Sequence, residues 1–272
     1  MTTVAAALEA ARAKLPASEA RLLLGHVLGR PAAWLIAHDD QVLDEDELLA
    51  FASLAARRAG GEPVAYLVGH REFFGREFAV SGAVLIPRPE TELLVDIALR
   101  KLGACETARI LDLGTGSGCI AITLALELPQ AHVTAVDASG AALQIASRNA
   151  ERLGVQLRFV QSDWFTALDG EGYDLIVANP PYIAAADPHL AAGDLRHEPS
   201  AALSSGTDGL EDIRRIISAA PAHLAPGGQL WLEHGYDQAE ALCGLLAAAG
   251  LTDIEQHRDL AGIVRVSGGC LR

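Results

Sequence analysis

Beyond Pro87, short apolar runs alternate with longer amphipathic stretches along the chain. Short apolar runs bounded by polar residues and glycine are typical of buried strands, and longer periodic stretches are typical of helices. This alternation predicts a doubly wound α/β sheet. Strands are predicted at 109–113, 132–136, 157–161, 173–178, 229–233, 254–258 and 263–267, and helices at 91–102, 118–128, 140–153, 209–224 and 237–249.

The last two predicted strands are separated only by residues 259–262, which leave room for a turn and not for a helix. Strands joined by a tight turn pair antiparallel. A parallel sheet that closes with such a hairpin is typical of class I S-adenosylmethionine-dependent methyltransferases, whereas dehydrogenase sheets tend to stay parallel to the edge. We therefore predict an α/β fold of this class, with a doubly wound sheet ending in an antiparallel hairpin.

The N-terminal part of the chain has a different pattern, in which helical stretches are separated by short breaks. Helices are predicted at 4–15, 18–28, around Trp34 and at 44–58. From residue 63 to 86, aromatic and β-branched residues punctuated by glycine predict a linking β-hairpin. The predicted organisation is a small helical bundle at 1–62, the hairpin at 63–86 and the α/β domain at 87–272.

The charge of the chain argues against nucleic acid as its main partner. The net charge is −14, from 21 Lys and Arg against 35 Asp and Glu. A field of that sign repels a phosphate backbone. Half of the residues are hydrophobic, which supports a sizeable core and a globular enzyme.

Neither a membrane segment nor a metal site is predicted. The N-terminus has no basic region before an apolar block, and the apolar stretch 241–251 is shorter than the roughly 20 residues that a membrane span needs. We expect a cytoplasmic protein without membrane contact. The four cysteines have no Cys-x-x-Cys spacing, and the histidines have no His-x-His or His-Glu-x-x-His spacing, so no metal requirement is expected.

A glycine-rich motif follows the predicted strand 109–113 and opens the next helix. Its residues are Gly114, Thr115, Gly116, Ser117 and Gly118. A turn of this kind lets the backbone approach a ligand closely and directs N–H groups at the helix start toward it. The dinucleotide fingerprint needs glycine at the first, third and sixth positions, but the sixth position here is Cys119. The motif therefore favours S-adenosylmethionine over a dinucleotide as cofactor.

Polar residues at the ends of the next two strands are the other predicted cofactor ligands. Asp137 ends the second strand, where a carboxylate can accept from both hydroxyls of a ribose. Asp163 and Trp164 follow the third strand at the same edge of the sheet. They offer a carboxylate for an adenine amine and a ring that walls the pocket. By itself, Asp163 is equally compatible with a loop cap.

The chemistry is predicted in a loop after the fourth strand. The loop consists of Asn179, Pro180, Pro181 and Tyr182. Proline lacks a backbone N–H, so this loop offers oxygens that accept and few groups that donate. It suits a planar NH2 group, whose nitrogen lone pair is delocalised. We predict that the Asn179 side-chain oxygen and the Pro180 carbonyl accept the two N–H bonds and hold the nitrogen in line with a sulfonium methyl, with Tyr182 as a flat wall.

This loop identifies the acceptor atom and not the molecule. Adenine N6, guanine N2 and the side-chain amide of glutamine all present a planar NH2 group of similar reach. Features outside the loop must distinguish among them.

The whole chain resembles the peptide release factor glutamine methyltransferases, the HemK/PrmC family. The matching segments are Gly-Glu-Pro-Val-Ala-Tyr at 61–66, Arg-Glu-Phe-Phe-Gly at 71–75, Leu-Ile-Pro-Arg-Pro-Glu-Thr-Glu at 85–92, Ile-Leu-Asp-Leu-Gly-Thr-Gly-Ser-Gly at 110–118, Gln-Ser-Asp-Trp-Phe at 161–165, Asn-Pro-Pro-Tyr-Ile at 179–183 and Leu-Glu-His-Gly at 232–235. Their combination is far more specific than any one of them.

The resemblance implies N5-methylation of the glutamine in the Gly-Gly-Gln loop of bacterial class I peptide chain release factors, with S-adenosyl-L-homocysteine as the other product. It also implies that the helical bundle binds the substrate protein, that residues 114–118, Asp137, Trp164 and Asn179 bind the cofactor, and that the loop 179–182 binds the glutamine.

Further roles and alternatives stay open at this point. Arg88 and Glu90 are either ligands or partners in a structural salt bridge, and the segment around Glu198 suits a lid over the substrate. A sister family methylates a glutamine of a ribosomal protein, and an exocyclic amine of DNA or RNA is the less favoured alternative.

Overall fold

The computed structural model describes residues 1–103, 105, 107–168, 170 and 172–272. The chain divides into two compact units, Met1–His70 and Arg71–Arg272. Within the described residues, no helix is both long enough and apolar enough to cross a membrane.

The first unit is built from helices, as expected. They are α1 (Val4–Ala11), α2 (Ala17–Leu28), α3 (Ala32–Ala37), α4 (Glu45–Ala59) and α5 (Val64–Val68). A capping box begins α4: the Asp44 side chain accepts from the Glu47 N–H, and the Glu47 carboxylate accepts from the Asp44 N–H. Gly29 ends α2 in the left-handed conformation. Helix α1 stops at Ala11, four residues before the predicted end, because the chain turns there toward Pro16.

The segment 63–86 differs from the hairpin predicted for it. Residues 64–68 form helix α5, which follows Pro63 and ends at Gly69 with a φ of 80°. Its Leu67 is buried with the apolar residues of the other helices, and this packing outweighs the strand preference of the β-branched residues. The hairpin itself is shorter and consists of β1 (His70–Phe73) and β2 (Arg76–Ala79).

The second unit contains a seven-stranded sheet, and the predicted α/β class is confirmed. Its strands are β3 (Arg109–Leu113), β4 (His132–Asp137), β5 (Arg158–Gln161), β6 (Tyr173–Ala178), β7 (Leu224–Glu233), β8 (Leu251–Arg258) and β9 (Val264–Leu271). Their order is β5-β4-β3-β6-β7-β9-β8. The pairs from β5 to β7 are parallel, and β9 is antiparallel to both β7 and β8.

Helices cover both faces of this sheet. They are α6 (Glu92–Leu102), α7 (Cys119–Glu127), α8 (Gly140–Leu153), α9 (Glu211–Ala219) and α10 (Ala239–Ala248). One apolar cluster includes residues of α6 and α7, and a second includes residues of α9 and α10. Helix α9 is shorter than the predicted 209–224, because a 3-10 turn at Ala220–Ala222 leads directly into β7.

The last strand is longer than predicted, and its glycines explain why it can extend. Gly268 lies over β7, where a Cβ atom would come 2.3 Å from the Leu230 carbonyl oxygen and 2.4 Å from the Trp231 ring. Only a residue without a side chain fits there. Strand β9 therefore continues beyond the predicted 263–267 and pairs with β7 as far as Cys270.

The strand register places all of the predicted site segments at one edge of the sheet. Leu113, the last residue of β3, is opposite Val136 of β4 and Ala178 of β6, and Asp137 of β4 is opposite Gln161 of β5. Because these strands are parallel, the loops that follow them begin side by side. The glycine motif and the loop 179–182 therefore meet although they are far apart in sequence.

Candidate active site

A cavity of about 490 Å³ opens at this edge of the sheet. The predicted residues that line it are Gly114, Thr115, Gly116, Ser117, Asp137, Asp163, Trp164, Asn179 and Pro181. Gly118, Pro180 and Tyr182, which were also predicted for the site, are adjacent in sequence to lining residues but are not part of the lining. A ligand of cofactor size fits a cavity of this volume.

At the glycine turn, main-chain atoms without side chains line the cavity. Gly114, Gly116 and Gly118 have φ values of 72°, 55° and 82°, in the left-handed region that favours glycine. A Cβ atom on Gly114 would come 3.3 Å from the Trp164 ring, so that side of the turn is closed by the indole. At Gly118 a Cβ atom would come 2.7 Å from Ile122, which shows that this glycine serves close packing at the start of α7.

Asp137 joins the glycine turn to the next loop. Its Oδ2 accepts from the Gly116 N–H at 2.9 Å, and its Oδ1 accepts from the Ser139 N–H at 2.8 Å. Burial raises the pKa of this carboxyl, while the two backbone hydrogen bonds oppose the rise. Each oxygen has a second lone pair, so the carboxylate can also accept from a diol in the cavity.

Asp163 and Trp164 also line the cavity, and helix α9 holds both. Asp163 Oδ2 is 2.7 Å from an Arg215 guanidinium nitrogen, and the Trp164 indole N–H donates to Asp212 at 3.0 Å. Trp164 has a φ of 49°, a rare conformation for a bulky residue. The ring is therefore held by its backbone and by its N–H bond as a fixed wall beside Gly114.

The Asn179 side chain is unusual because only one end of its amide is satisfied. Its Nδ2 donates to the Thr91 hydroxyl at 3.1 Å. Its Oδ1 is buried and has no hydrogen-bond partner among the described residues. An unpaired buried acceptor is costly in a folded protein. In a side chain of the cavity lining, such an unpaired acceptor is a candidate partner for a hydrogen-bond donor of a ligand.

The rest of the loop 179–182 is held by residues that the sequence did not indicate. The Tyr182 hydroxyl donates to Glu233 Oε1 at 3.3 Å. Burial, reinforced by the Glu233 charge, raises the pKa of Tyr182 and keeps it protonated. The Tyr182 carbonyl accepts from Gln238 Nε2 at 2.9 Å, and Gly209 packs directly against this carbonyl. Tyr182 thus contacts protein rather than the cavity.

Arg88 forms an ion pair with Glu198, a residue of the segment for which the sequence suggested a lid. The Glu198 side chain is buried, and its Oε2 also accepts from the Ile86 N–H at 3.0 Å. Arg88 lines the cavity, as do Pro199 and Ala201 from the segment that follows Glu198. This ion pair therefore attaches the segment after the loop 179–182 to the cavity wall.

Several residues that hold the site were not predicted, among them Thr91, Gly209, Asp212, Arg215, Glu233 and Gln238. Thr91 and Glu233 lie in segments that matched the family, so the resemblance alone could have suggested them. The sequence around Gly209 and Gln238 carries no motif that indicates a role in the site. Both residues act through contact with the loop 179–182, which is more than 25 residues away in sequence.

Two buried carboxyl groups near the site predict an unusual dependence of stability on pH. Burial raises the pKa of Asp112 and of Glu233 to about 7. Between their ordinary values and about pH 7 the native state binds more protons than the unfolded state. The free energy of unfolding should therefore fall as pH rises through this range, by up to about 1.4 kcal/mol per pH unit for each group.

Chemical denaturation of the ligand-free protein at several pH values between 5 and 8 measures this slope. Asp112→Asn should flatten it. Asp208→Asn is the matched control, because the pKa of that exposed carboxyl is lowered to about 2 by Arg214 and it does not titrate in this window. A slope that is the same in wild type and Asp112→Asn would contradict the prediction.

Among the described residues there is no group of three or more His, Cys, Asp and Glu side chains arranged to hold a metal ion. The expectation of a metal-independent reaction remains a prediction.

Comparison with known proteins agrees with the site. Residues 89–238 match the family model described as the methyltransferase small domain, and residues 1–69 match the PrmC N-terminal domain. A release factor glutamine methyltransferase of Bordetella pertussis is 55% identical over 258 residues, covering 94% of this chain and 96% of the relative. The one from Burkholderia pseudomallei is 53% identical over 264 residues, covering 94% and 93%.

A solved rRNA methyltransferase of T. thermophilus in complex with AdoMet and guanosine has the same fold. It superposes with a TM-score of 0.55 at 21% identity and covers 75% of this chain and 50% of that one.

The fold, the glycine turn and the matched domain define an S-adenosylmethionine-dependent methyltransferase. Within that class, the chain belongs to the release factor glutamine methyltransferase family, and the resemblance noted in the sequence is confirmed.

Proposed function

We propose that this protein transfers the methyl group of S-adenosyl-L-methionine to the side-chain amide nitrogen, N5, of the glutamine in the Gly-Gly-Gln loop of a bacterial class I release factor. The main supporting observation is Asn179 Oδ1, a buried acceptor with no partner among the described residues. An acceptor of this kind requires a hydrogen-bond donor, and the NH2 group of a substrate amide is one. The names of the relatives support the choice of glutamine in a release factor.

Residues of the cavity fit the cofactor. Backbone of the glycine turn, the Asp137 carboxylate and the Trp164 ring would hold its nucleoside part, and Asp163 would accept from its adenine amine. When bound, the cofactor supplies an electrophilic methyl group on a sulfonium centre. We assign cofactor binding to the same residues that the sequence predicted. Gly118 contributes indirectly, through the close packing of the glycine turn.

Asn179 and Pro180 would orient the substrate nitrogen. An amide nitrogen is a weak nucleophile because its lone pair is delocalised into the carbonyl. Two acceptors that accept hydrogen bonds from its N–H groups would orient the lone pair toward the methyl carbon. They would also stabilise the positive charge that develops on the nitrogen. With the cofactor bound, its methyl group would pass from sulfur to this nitrogen, and the nitrogen would release its extra proton to water. Pro181, which lines the cavity, would close the site against the planar amide in place of the predicted Tyr182.

A labelling experiment tests the substrate. The purified protein is incubated with labelled S-adenosylmethionine and, in parallel, with a release factor, with ribosomal proteins and with nucleic acid, and the label is located by mass spectrometry. We expect it on the glutamine of the Gly-Gly-Gln loop, and none on a release factor in which that glutamine is changed to asparagine. Label on a ribosomal protein alone would support the sister activity, and label on DNA or RNA alone would refute methylation of glutamine.

We propose that the helices of residues 1–62 bind the substrate protein. The first unit exposes Leu22, Ile36 and Leu49, which are 56%, 67% and 63% accessible. Leu49→Ser should reduce kcat/KM for the release factor about tenfold and leave cofactor binding unchanged, because loss of an apolar contact at the centre of an interface costs about 1–2 kcal/mol. Leu260→Ser, which changes an exposed leucine of the second unit, is the control. Equal kcat/KM in both variants would contradict this role.

A further inference from the structure

The loop 179–182 is stiff in its middle, so its two ends decide where its acceptors lie. Pro180 and Pro181 fix φ at two consecutive positions, and the loop therefore moves largely as one body. It begins at the end of β6, which the sheet holds on both sides. Its other end is Tyr182. A group that fixes Tyr182 therefore also fixes the Asn179 side chain.

Gln238, which directly precedes α10, contacts that end of the loop. Its Nε2 donates to the Tyr182 carbonyl at 2.9 Å and to the Gly209 carbonyl at 3.3 Å, and its Oε1 accepts from the Gly235 N–H at 2.8 Å. Gln238 is 7% exposed. One buried side chain therefore joins the loop 179–182, the residue before α9 and the turn after β7.

The backbone leaves the Gln238 amide a single orientation. The oxygen of a glutamine amide only accepts, its NH2 group only donates, and the two ends have nearly the same shape. Backbone carbonyls only accept and a backbone N–H only donates, so these partners cannot exchange roles as a hydroxyl can. A reversed amide would place its oxygen against two carbonyl oxygens. The NH2 group is therefore a fixed donor to the Tyr182 carbonyl.

The Gly235 peptide, from which Gln238 accepts, is itself anchored to the sheet. The His234 ring is fully buried, with Nδ1 2.8 Å from the Gly235 carbonyl oxygen and Nε2 2.8 Å from the Ser267 hydroxyl of β9. Because the carbonyl only accepts, Nδ1 carries the proton. Burial lowers the pKa of His234 and favours the neutral ring, so Nε2 accepts from Ser267. The hydrogen bonds thus continue from β9 to Gln238.

We infer that Gln238 is a positioning residue whose NH2 group fixes the Tyr182 carbonyl and thereby places the acceptors of the loop 179–182 for the substrate. The inference rests on the proposed function, because that function assigns the substrate NH2 group to this loop. Gln238 is not part of the cavity lining, so it acts through Tyr182 and not on the substrate itself.

Gln238→Glu keeps the shape of the side chain and replaces its NH2 group with an oxygen. The ionised carboxylate faces the carbonyls of Tyr182 and Gly209 with no hydrogen to donate, so the loop 179–182 is displaced. At about pH 8 we expect kcat for the release factor to fall about 30- to 100-fold, with the dissociation constant of the cofactor changed by no more than about threefold.

The pH profile of this variant identifies the missing donor. Burial and two facing carbonyl oxygens favour the protonated form of a carboxyl group at position 238. Once protonated, it donates its O–H to the Tyr182 carbonyl while its other oxygen accepts from the Gly235 N–H. Relative to wild type at the same pH, kcat should recover by about fivefold or more between about pH 8 and about pH 6. The ionisable side chains next to these residues titrate in both proteins, and they are Asp208, Glu233, His234 and Asp237.

Gln238→Met removes the amide and leaves a side chain of similar length with no N–H or O–H group. It should lower kcat about 30-fold or more at both pH values, without recovery at the lower one. A side chain that only fills space would tolerate this change. Hydrogen exchange of the ligand-free protein measures the loop directly, and residues 182–185 should exchange about tenfold faster in this variant than in wild type.

Gln256→Glu is the matched control. Gln256 lies on β8, and its Nε2 also donates to a backbone carbonyl, that of Ala239, at 2.9 Å. Ala239 is the first residue of α10 and follows Gln238 directly. The control therefore introduces the same charge and removes the same kind of hydrogen bond at the start of the same helix. It should keep kcat within about twofold of wild type at both pH values.

The outcomes separate this inference from the proposed function. Wild-type protein that labels no release factor refutes the function, while hydrogen exchange still tests the hold of Gln238 on the loop. Active wild type together with a Gln238→Glu variant that keeps kcat within about twofold at about pH 8, or that shows no recovery at about pH 6, overturns the inference alone. Unchanged exchange of residues 182–185 in Gln238→Met also overturns it. If Gln238→Met does not fold, the comparison of Gln238→Glu with Gln256→Glu decides it.

Discussion

Replacing Asn179 with alanine is expected to lower kcat by about 10²- to 10³-fold, the range seen when one group that stabilises transition-state charge is removed. The fold and most of the cofactor affinity should remain, because the side chain makes a single hydrogen bond within the described part of the protein, to Thr91. Steady-state methylation of the release factor, together with calorimetric titration of the cofactor, measures both effects.

Asn149 offers a control with the opposite signature. Asn149 is fully buried on α8, its Nδ2 donates to the carbonyls of Ala79 and Ser117, and its Oδ1 accepts from the Ala79 N–H. Asn149→Ala leaves these groups unpaired and should cost about 3 kcal/mol of unfolding free energy. Turnover of the Asn179→Ala variant near the wild-type rate would show that the substrate nitrogen is held by other groups.

Replacing Gly209 with alanine is the other change expected to have a large effect on activity. A Cβ atom at this position would come 2.3 Å from the Tyr182 carbonyl oxygen and 2.9 Å from Gln238 Nε2. Because contact distances below 3.0 Å cannot persist, the loop 179–182 or the Gln238 side chain must move by a substantial fraction of an ångström. A displacement of about 1 Å in a catalytic group typically costs about 10² in rate, so we expect kcat to fall about 100-fold.

The conformational strain of this change needs its own control. Gly209 has a φ of 76°, where alanine is strained whatever the space around it. Gly154, at the end of α8, has a φ of 74° and no atom within 4 Å of a Cβ position. Both alanine variants should therefore lose about 1 kcal/mol of stability from strain, but only Gly209→Ala should lose turnover. Similar kcat values in the two variants would mean that close packing on Tyr182 does not position the loop.

The fold of the second unit was predictable because each element carries its own signal. The apolar runs that become β3, β4 and β6 are bounded by polar residues, glycine or proline, which mark where each strand ends. The short turn at 259–262 allows only an antiparallel pair of strands. The hairpin at 63–86 was mistaken in part because Val64 and Tyr66 favour strands, whereas Pro63, Gly69 and the burial of Leu67 decide for a helix.

Similarly, the residues that line the cavity were predictable where they are consecutive in sequence. The glycine turn and the loop 179–182 each combine a strand end with residues of special backbone geometry, and parallel strands bring their ends together. The side chains that hold those loops gave no comparable signal. An ordinary threonine, glutamate or glutamine becomes informative only when its partner is known.

The sequence by itself determined the class of fold, the edge of the sheet at which the cavity opens, and the two loops of the candidate site, because periodicity, proline and glycine act within a few residues. Only the tertiary structure decided that Asn179 Oδ1 has no partner among the described residues while Thr91 holds Nδ2, that Glu233 and Gln238 hold Tyr182, and that Arg88 pairs with Glu198. These contacts join residues distant in the chain, and hydrogen-bond geometry and burial depend on where the packed elements place them.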